Sequence, residues 1–409
     1  MIEVSIREFT RAAKIVSAAV QRRATVPVLE AIKVRANGKL ELEGTDLDMT
    51  ARVRLPHAKG PVQEFLLNSP ESLLAAIGAA GGSTVQFEPL GDAKGKVAFG
   101  YRAIAGALNR ISAHGMAVED FPTDRTGVAD VQFEAEFSAD VLRQIERIAS
   151  AISKEPTRYY LNGISMRRLA DTPDGWTWRF AATDGHRLLM CDIPLPGAMG
   201  DVKGDVILPA RFMHAVFRHL RQCEGPLALK VGTSAVTNST DSTAPEPAAK
   251  QNLASRASIA GRLGDSEVQF STRLIDGTYP DISRIIPAET PQRAIMAVTE
   301  LRRAVLAVAG STRHSAAISL TFDQGGVVIG YAFDVEGVTA QYRIECDHNC
   351  RLGFSIGFRP SYVLDILNAI TGDQVAFGFD GGDAANGAPT AVRDLADPAF
   401  LAVLMPMRL

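Results

Sequence analysis

The segment Pro360 to Leu367 (PSYVLDIL) has two counterparts upstream, Pro70 to Ile77 (PESLLAAI) and Pro209 to Val216 (PARFMHAV). Each begins with a proline, which is favoured at the first position of a helix because no intrahelical donor is lost there. In each, the residues three, four and seven positions after the proline are apolar, which is the spacing of one buried helical stripe. The segments therefore predict the same helix, in the same register, three times.

The sequence around these helices repeats as well. A strand-like apolar run precedes each helix and another follows it. The predicted upstream amphipathic helices are Ile6 to Val20, Phe137 to Ile152 and Val298 to Val308. The order helix, strands, helix, strands thus occurs three times. It predicts an α+β fold of three repeated domains over 1–127, 128–290 and 291–409, with a loop or disordered insertion at about 237–255 that is rich in Ser, Thr, Ala and Pro.

Composition limits the classes of protein that fit. The chain has 409 residues, of which 46% are hydrophobic and 22% charged, as expected of a soluble globular protein with more than one domain. No apolar run is long enough to span a bilayer. The few, scattered cysteines favour a reducing cytoplasm. A net charge of −3 does not by itself indicate nucleic-acid binding, so such a role requires basic residues gathered on one face.

Basic residues do recur at helical spacing. Arg7, Arg11, Lys14 and Arg22 follow one side of the first helix, and Arg143, Arg147 and Lys154 repeat the pattern in the second unit. Solvated helix faces are the ordinary explanation of such residues. A basic face on several equivalent helices would instead attract phosphates without reading bases. The residues alone leave both interpretations open.

The stretch Thr183 to Arg187 (TDGHR) is the strongest candidate for chemistry. Asp184 and His186 could act as a base with its orienting partner, or as metal ligands in a metal-assisted hydrolase. The first unit carries Gly44 to Asp48 (GTDLD) at the equivalent place, which favours a structural turn capped by Thr and Asp side chains. Cys346 to Cys350 (CDHNC) lacks a second ligand pair and is a weak zinc signal.

Several segments together resemble the bacterial DNA polymerase III beta subunit family, the sliding clamps. They lie in order along nearly the whole chain: Val26–Leu29, Gly44–Leu47, Arg158–Gly163, Ala182–Leu188, Asp276–Asp281, Ser361–Asp365 and Met405–Leu409. The segments ATDGHRL and MPMRL are the most specific to that family.

The resemblance implies a head-to-tail homodimer in which six similar domains close a ring around double-stranded DNA, without reading its sequence. It implies a cytoplasmic, non-catalytic processivity subunit without a cofactor or metal. Its implied partners are the DNA polymerase III alpha subunit, the clamp loader, and other polymerases and repair proteins that bind through short linear peptides.

The resemblance also implies two sets of site residues. The peptide pocket would use Leu161, Thr183, Gly185, His186, Arg187, Leu188, Pro280, Arg284, Ile285, Val403, Met405, Pro406, Met407, Arg408 and Leu409. DNA contacts would come from Arg7, Arg11, Lys14, Arg22, Arg23, Arg143, Arg147, Lys154, Tyr159, Tyr160, Arg211 and Arg218.

Three features depart from the family pattern. Its members are usually more acidic than this chain, the 237–255 insertion is unusual, and Ile111 stands where many members carry an aromatic residue at the dimer interface. These departures indicate a diverged member, in which the pocket is retained and the dimer contact is altered.

Overall fold

The computed structural model describes residues 2–21, 23–56, 62–68, 70–91, 98–105, 108–114, 116–124, 126–169, 176–202, 205–234, 253–310, 317–331, 340–380 and 387–408. For 89–91, 98–102 and 108–114 the backbone alone is described. Most of the 237–255 insertion, together with Arg22 and Leu409, lies outside the described residues.

The helices of the described residues are α1 (Ile6–Val16), α2 (Pro70–Ala80), α3 (Ala139–Ile148), α4 (Ala210–Leu220), α5 (Val298–Gly310) and α6 (Pro360–Ala369). The strands are β1 (Ile2–Ser5), β2 (Ile32–Ala36), β3 (Leu40–Thr45), β4 (Met49–Leu55), β5 (Gln63–Leu67), β6 (Thr84–Gly91), β7 (Ala98–Ala105), β8 (Leu108–His114), β9 (Asp130–Phe137), β10 (Gly163–Arg168), β11 (Trp176–Thr183), β12 (Arg187–Leu195), β13 (Met199–Gly200), β14 (Val206–Pro209), β15 (Leu227–Thr233), β16 (Arg256–Leu263), β17 (Ser266–Arg273), β18 (Gln292–Ala297), β19 (Ile318–Asp323), β20 (Gly326–Tyr331), β21 (Gln341–Ile344), β22 (Asp347–His348), β23 (Ser355–Phe358), β24 (Gln374–Phe379), β25 (Thr390–Asp394) and β26 (Phe400–Leu404).

The chain forms two compact units. Unit 1 comprises Met1–Arg143 with Leu195–Asp276, and unit 2 comprises Gln144–Pro194 with Gly277–Leu409. The α+β class predicted from the sequence is confirmed. The division into domains at 127/128 and 290/291 stays a prediction, since each compact unit contains strands from two successive repeats.

Unit 1 contains a sheet in the order β1-β6-β7-β8 and a larger one in the order β13-β9-β15-β16-β17-β4-β3-β2-β5. In the larger sheet, β4 of the first repeat pairs antiparallel with β17 of the second, and Met49 lies opposite Thr272. This pair is called the first junction below. Inside the unit, Phe9 packs on Phe87 with a centroid distance of 4.8 Å.

Unit 2 has the same plan. Its larger sheet runs β10-β11-β12-β26-β25-β24-β18-β22, and a smaller one runs β21-β20-β19-β23. Here β12 of the second repeat pairs antiparallel with β26 of the third. Arg187 lies opposite Leu404 at one end of this second junction, and Cys191 lies opposite Phe400 at the other. Antiparallel registers of this kind fix which side chains share a face.

Two predicted helices end earlier than their apolar pattern indicates. α1 stops at Val16, because the Ser17 hydroxyl donates to the Ala13 carbonyl at 2.7 Å and the next amides make shorter-range bonds. α3 runs from Ala139 to Ile148 and tightens into a 3-10 turn at Ala149–Ala151. α5 instead extends two residues beyond its predicted end, to Gly310.

The three prolines of the repeat do not occupy the same position. Pro70 and Pro360 begin α2 and α6, whereas Pro209 is the N-cap of α4, which begins at Ala210. The helix start predicted for the second repeat was therefore wrong by one residue. Its buried stripe still forms, since Phe212, Met213 and Val216 are all within 1% of full burial. No helix of the described residues is long and apolar enough to cross a membrane.

Candidate functional site

The turn between β11 and β12 is held by its own side chains. The Thr183 hydroxyl donates to the Arg187 carbonyl at 2.6 Å and accepts the Gly185 amide at 3.1 Å. Asp184 Oδ1 accepts the amides of His186 at 2.9 Å and Arg187 at 3.1 Å. Gly185 has φ +87°, which is favourable for glycine. These hydrogen bonds hold the turn in place, and none of them involves the His186 ring.

The first repeat forms the same turn. The Thr45 hydroxyl donates to the Met49 carbonyl at 2.9 Å and accepts the Leu47 amide at 3.0 Å. Asp46 Oδ1 accepts the amides of Asp48 and Met49. Leu47, which corresponds to Gly185, also has a positive φ, of 79°. The structural interpretation of the Thr-Asp pair is therefore confirmed, because two repeats use it identically.

The C-terminal segment is tied to this turn. The Met405 amide donates to the His186 carbonyl at 2.9 Å, and the Met407 amide donates to the Gly357 carbonyl at 2.8 Å. Both bonds have counterparts in unit 1, from Arg273 to Asp48 and from Ile275 to Ile207. The sequence-distant segments ATDGHRL and MPMR thus lie side by side in unit 2.

An apolar cluster lies on one face of the second junction. It consists of Ala181, Leu188, Met190, Ala391, Leu401 and Val403, with Ile282 and Ile286 of the linker before β18 packed against it. Burial of such side chains stabilises the junction. Met405 and Pro406, which are half-buried, directly follow the last strand of this cluster, β26. We call this cluster, together with the Thr183–Arg187 turn and the segment Met405–Arg408, the groove.

The first junction carries polar side chains at the matching positions. The shared turn and strand registers align the six cluster residues with six polar ones: Glu43, Thr50, Arg52, Ser258, Gln269 and Ser271. Arg52 pairs with Glu43 at 3.0 Å and with Asp124 at 3.3 Å, and Thr50 donates to Asp124. Asp124 occupies the place of Ile282. One architecture therefore presents a charged face at the first junction and an apolar one at the second.

The predicted pocket residues fall into two layers. Leu161, Thr183, Arg187, Leu188 and Val403 are buried, each at most 7% exposed. The rim is accessible and consists of Gly185, His186, Pro280, Arg284, Ile285, Met407 and Arg408. Met405 and Pro406 lie between the two layers.

Leu161 ends the 3-10 helix Pro156–Leu161, which borders the turn. Arg158 of this helix lies against Gly185, where an added Cβ would come within 2.9 Å of its Nη1 atom. A larger residue at Gly185 would therefore displace Arg158.

Tyr362 is a groove residue that the sequence reasoning missed. Its ring lies 4.4 Å from the Arg187 guanidinium carbon and stacks on His186 with a centroid distance of 6.4 Å. The available signal was its position in the quoted segment PSYVLDIL, outside the buried stripe. An aromatic residue on the polar side of an amphipathic helix is a candidate for binding.

The basic face of α1 is present in the structure. Arg7, Arg11 and Lys14 are exposed, while Phe9 and Ala12 on the opposite side are buried. Arg11 also donates to the Leu263 carbonyl at 2.9 Å. Further predicted DNA contacts that are exposed or half-buried are Arg23, Arg143, Lys154, Tyr159, Tyr160, Arg211 and Arg218.

Arg147 does not fit the predicted DNA-binding set. Its side chain is only 13% exposed, and its guanidinium donates to Asp397 at 2.5 Å and to Asp394 at 3.1 Å. It also bonds the Ala369 carbonyl and covers the Phe400 ring at 4.6 Å. An arginine that is committed to two carboxylates in this way cannot contact phosphate, so we remove Arg147 from the set.

The Asp184 and His186 constellation does not form a metal or catalytic site. Asp184 is occupied by two backbone amides and by Arg187. Within the described ranges, no group of three or more His, Cys, Asp or Glu side chains could hold a metal ion. Burial raises the pKa of Cys346 to about 11 and that of Cys350 to about 12, so both thiols stay protonated near neutral pH.

Comparison with known proteins agrees with this geometry. Sequence profiles of the DNA polymerase III beta subunit match this chain, the central domain over residues 137–281 and the C-terminal domain over 283–408. The beta sliding clamp of Caulobacter vibrioides is 27% identical over 406 residues, covering 96% of this chain and 95% of that protein. The chain belongs to the DNA polymerase III beta subunit family.

The sliding clamp of Escherichia coli K12 is 28% identical over 402 residues, covering 95% of this chain and 94% of that clamp. The crystal structure of the Bartonella birtlesii sliding clamp bound to griselimycin superposes with a TM-score of 0.83 at 25% identity, over 100% of this chain and 99% of that one. Sliding clamps are non-catalytic processivity factors, so the metal-assisted hydrolase is not supported.

Proposed function

We propose that two copies of this chain close head to tail into a ring of six domains around double-stranded DNA. The observation that carries the proposal is the match to proteins named beta sliding clamp along more than nine tenths of the chain. A heterologous contact that closes after one rotation produces such a ring. A closed ring stays on DNA by topology, so its contacts to DNA need neither strength nor sequence preference.

Two free sheet edges support the closure. Among the described strands, β8 ends the smaller sheet of unit 1 and β21 ends the smaller sheet of unit 2. An edge strand offers unpaired amides and carbonyls to another chain. Ile111, the residue that departs from the family pattern, lies in β8.

The DNA contacts proposed are those of the exposed basic residues. Arg7, Arg11, Lys14, Arg143, Arg211 and Arg218 lie on helices α1, α3 and α4. Tyr159 and Tyr160 lie in the 3-10 helix Pro156–Leu161, and Arg23 and Lys154 lie in connecting segments. Arg22 belongs to this set by sequence. Phosphate contacts of arginine and lysine carry no base information, which matches a ring that must slide.

The groove of unit 2 is proposed to hold short linear peptides of partner proteins. These would be the DNA polymerase III alpha subunit, the clamp loader, and other polymerases and repair proteins. Met405 and Met407 favour this role, because methionine side chains repack around different ligands. The first junction has the same strand registers but carries ion pairs of Arg52 in place of the apolar cluster, which favours one peptide site per chain. Such a clamp would work in the cytoplasm.

The dimer is the first consequence to measure. Size-exclusion chromatography with light scattering at micromolar concentration should give twice the 43.8 kDa mass of one chain. Ile111→Lys should shift the protein towards monomer, because a lysine on an edge strand opposes pairing with another chain. A wild-type chain that remains monomeric would contradict the ring.

A further inference from the structure

Arg187 joins two repeats within unit 2. Its side chain is 7% exposed and donates to Asp184 at 3.3 Å, to the Ser150 carbonyl, and to Asp365 Oδ2 at 2.6 Å. Ser150 and Asp184 belong to the second repeat, whereas Asp365 lies on α6 of the third. The Asp365 carboxylate therefore fixes the Thr183–Arg187 turn to α6.

The same guanidinium supports the aromatic wall of the groove. Tyr362 lies one helical turn before Asp365, so both side chains face the turn. The Arg187 guanidinium covers the Tyr362 ring, and the exposed His186 ring stacks on the same ring. If Arg187 turned away from Asp365, Tyr362 would lose this guanidinium and keep the more distant one of Arg359, which lies 5.1 Å from the ring centroid.

We propose that Asp365 is a positioning residue of the peptide groove. By holding Arg187, it sets the places of Tyr362 and of the Thr183–Arg187 turn before a peptide arrives. The inference rests on the proposed function, because it assumes that this groove takes a linear peptide. A site held in its binding-competent form avoids the ordering cost of binding, and its apparent affinity rises with the competent fraction.

The first junction has a related ion pair with the charges exchanged. There, Arg211 of α4 donates to Asp46 of the Thr45–Met49 turn and to the Val20 carbonyl at 3.3 Å. An ion pair between a turn and the second helix of the next repeat is thus a shared feature of both junctions. At the second junction alone, among the described residues, this pair also carries an aromatic wall beside an apolar cluster.

The far end of the second junction supplies a matched control. Arg147 of the second repeat pairs there with Asp394 and Asp397 of the third, next to Phe400. Each arginine has two carboxylate partners, so Asp397→Asn and Asp365→Asn each remove one and leave one, Asp394 or Asp184. The two changes differ mainly in position: Asp365 pairs with Arg187 at the end of β12 next to the groove, whereas Asp397 lies beside Phe400 at the opposite end of the junction.

The test compares peptide binding by the full-length wild type, Asp365→Asn, Asp365→Glu and Asp397→Asn. The probe is a fluorescein-labelled peptide that copies the clamp-binding segment of the host DNA polymerase III alpha subunit. Asp365→Asn should raise the Kd about tenfold, which corresponds to a competent fraction near one tenth. Asp365→Glu keeps the carboxylate and should recover most of the affinity, and Asp397→Asn should leave the Kd within about twofold of wild type. Hydrogen exchange at the His186 and Arg187 amides should accelerate only in Asp365→Asn.

The outcomes separate the two proposals. If wild type does not bind the peptide, the proposed peptide site fails. If wild type binds and Asp365→Asn binds equally well, the positioning role alone is overturned. Equal weakening by Asp365→Asn and Asp397→Asn would also overturn it, because it would indicate a general loss of stability at the junction.

Discussion

Deletion of Met405 to Leu409 is expected to abolish binding of the polymerase-derived peptide and to leave the dimer intact. The last strand, β26, ends at Leu404, so the deletion removes none of its residues. It does remove Met405 and Met407, whose amides bond the His186 and Gly357 carbonyls and place their side chains on the rim of the groove. Buried apolar anchors commonly contribute about 2 kcal/mol or more each, so losing several should weaken binding more than about a hundredfold.

Single substitutions at equivalent positions provide the control for this deletion. Met407 and Ile275 make the same backbone bond at the two junctions, to Gly357 and Ile207. Met407→Ser should weaken the peptide in a fluorescence anisotropy titration, whereas Ile275→Ser should not. Light scattering on each variant reports the dimer. Full peptide affinity after the deletion would show that the groove lies elsewhere.

Arg147→Ala is expected to cost unit 2 about 3–5 kcal/mol of unfolding free energy, the usual consequence of leaving a buried charge without its partner. The Asp394 side chain is 0% exposed and would lose the guanidinium that faces it at 3.1 Å. Arg143→Ala is the control on the same helix, because its pair with Asp140 is exposed and should contribute at most about 1 kcal/mol. Urea unfolding followed by circular dichroism measures both. A loss for Arg147→Ala as small as that for Arg143→Ala would contradict the assignment of Arg147 to the junction.

The same pair gives a pH dependence with a definite sign. Burial raises the pKa of Asp394, but hydrogen bonds from Thr371 and Ala396 and the charge of Arg147 outweigh it, and the pKa lies below its usual 3.8. A carboxyl whose folded pKa is depressed stabilises the fold above its unfolded pKa and loses this contribution as the pH falls through the folded value. The stability difference between wild type and Arg147→Ala should therefore be full at neutral pH and shrink below about pH 4.

The repeat and the turn chemistry could be predicted from the sequence because both depend on local spacing. Thr45 with Asp46 and Thr183 with Asp184 make bonds within four residues, and the helix stripes repeat along each segment. The resemblance to the family then predicted that Met405–Leu409 lies beside the Thr183–Arg187 turn. The order of the strands and the charged or apolar face of each junction are not local properties.

The role of Arg147 could not be predicted, for a physical reason. On the helix it follows Arg143 at the spacing of a basic face, but its partners Asp394 and Asp397 lie about 250 residues further along the chain. Tyr362 was missed in the same way, since its partners His186 and Arg187 are in another repeat. Long-range pairs that seal a sheet junction leave no periodic signal.

The contrast between the two junctions favours one peptide groove per chain under the proposed function. Positions that carry Glu43 and Arg52 in unit 1 carry Ala181 and Met190 in unit 2. At the first junction, the ion pairs of Arg52 with Glu43 and Asp124 take the positions of the apolar cluster, so a peptide would meet charged side chains there. The same arrangement of strands thus joins two repeats at the first junction, and at the second it also forms the proposed peptide site.

Retention on circular against linear DNA tests the central claim most directly. The protein is loaded onto nicked circular DNA, passed through a sizing column at moderate salt, and measured again after the DNA is cut once with a restriction enzyme. A ring should remain with the circle, because salt screens phosphate contacts but cannot open a closed dimer, and it should be lost from the cut DNA. Equal loss from both forms would show that the protein binds DNA by surface contact alone and would contradict the clamp.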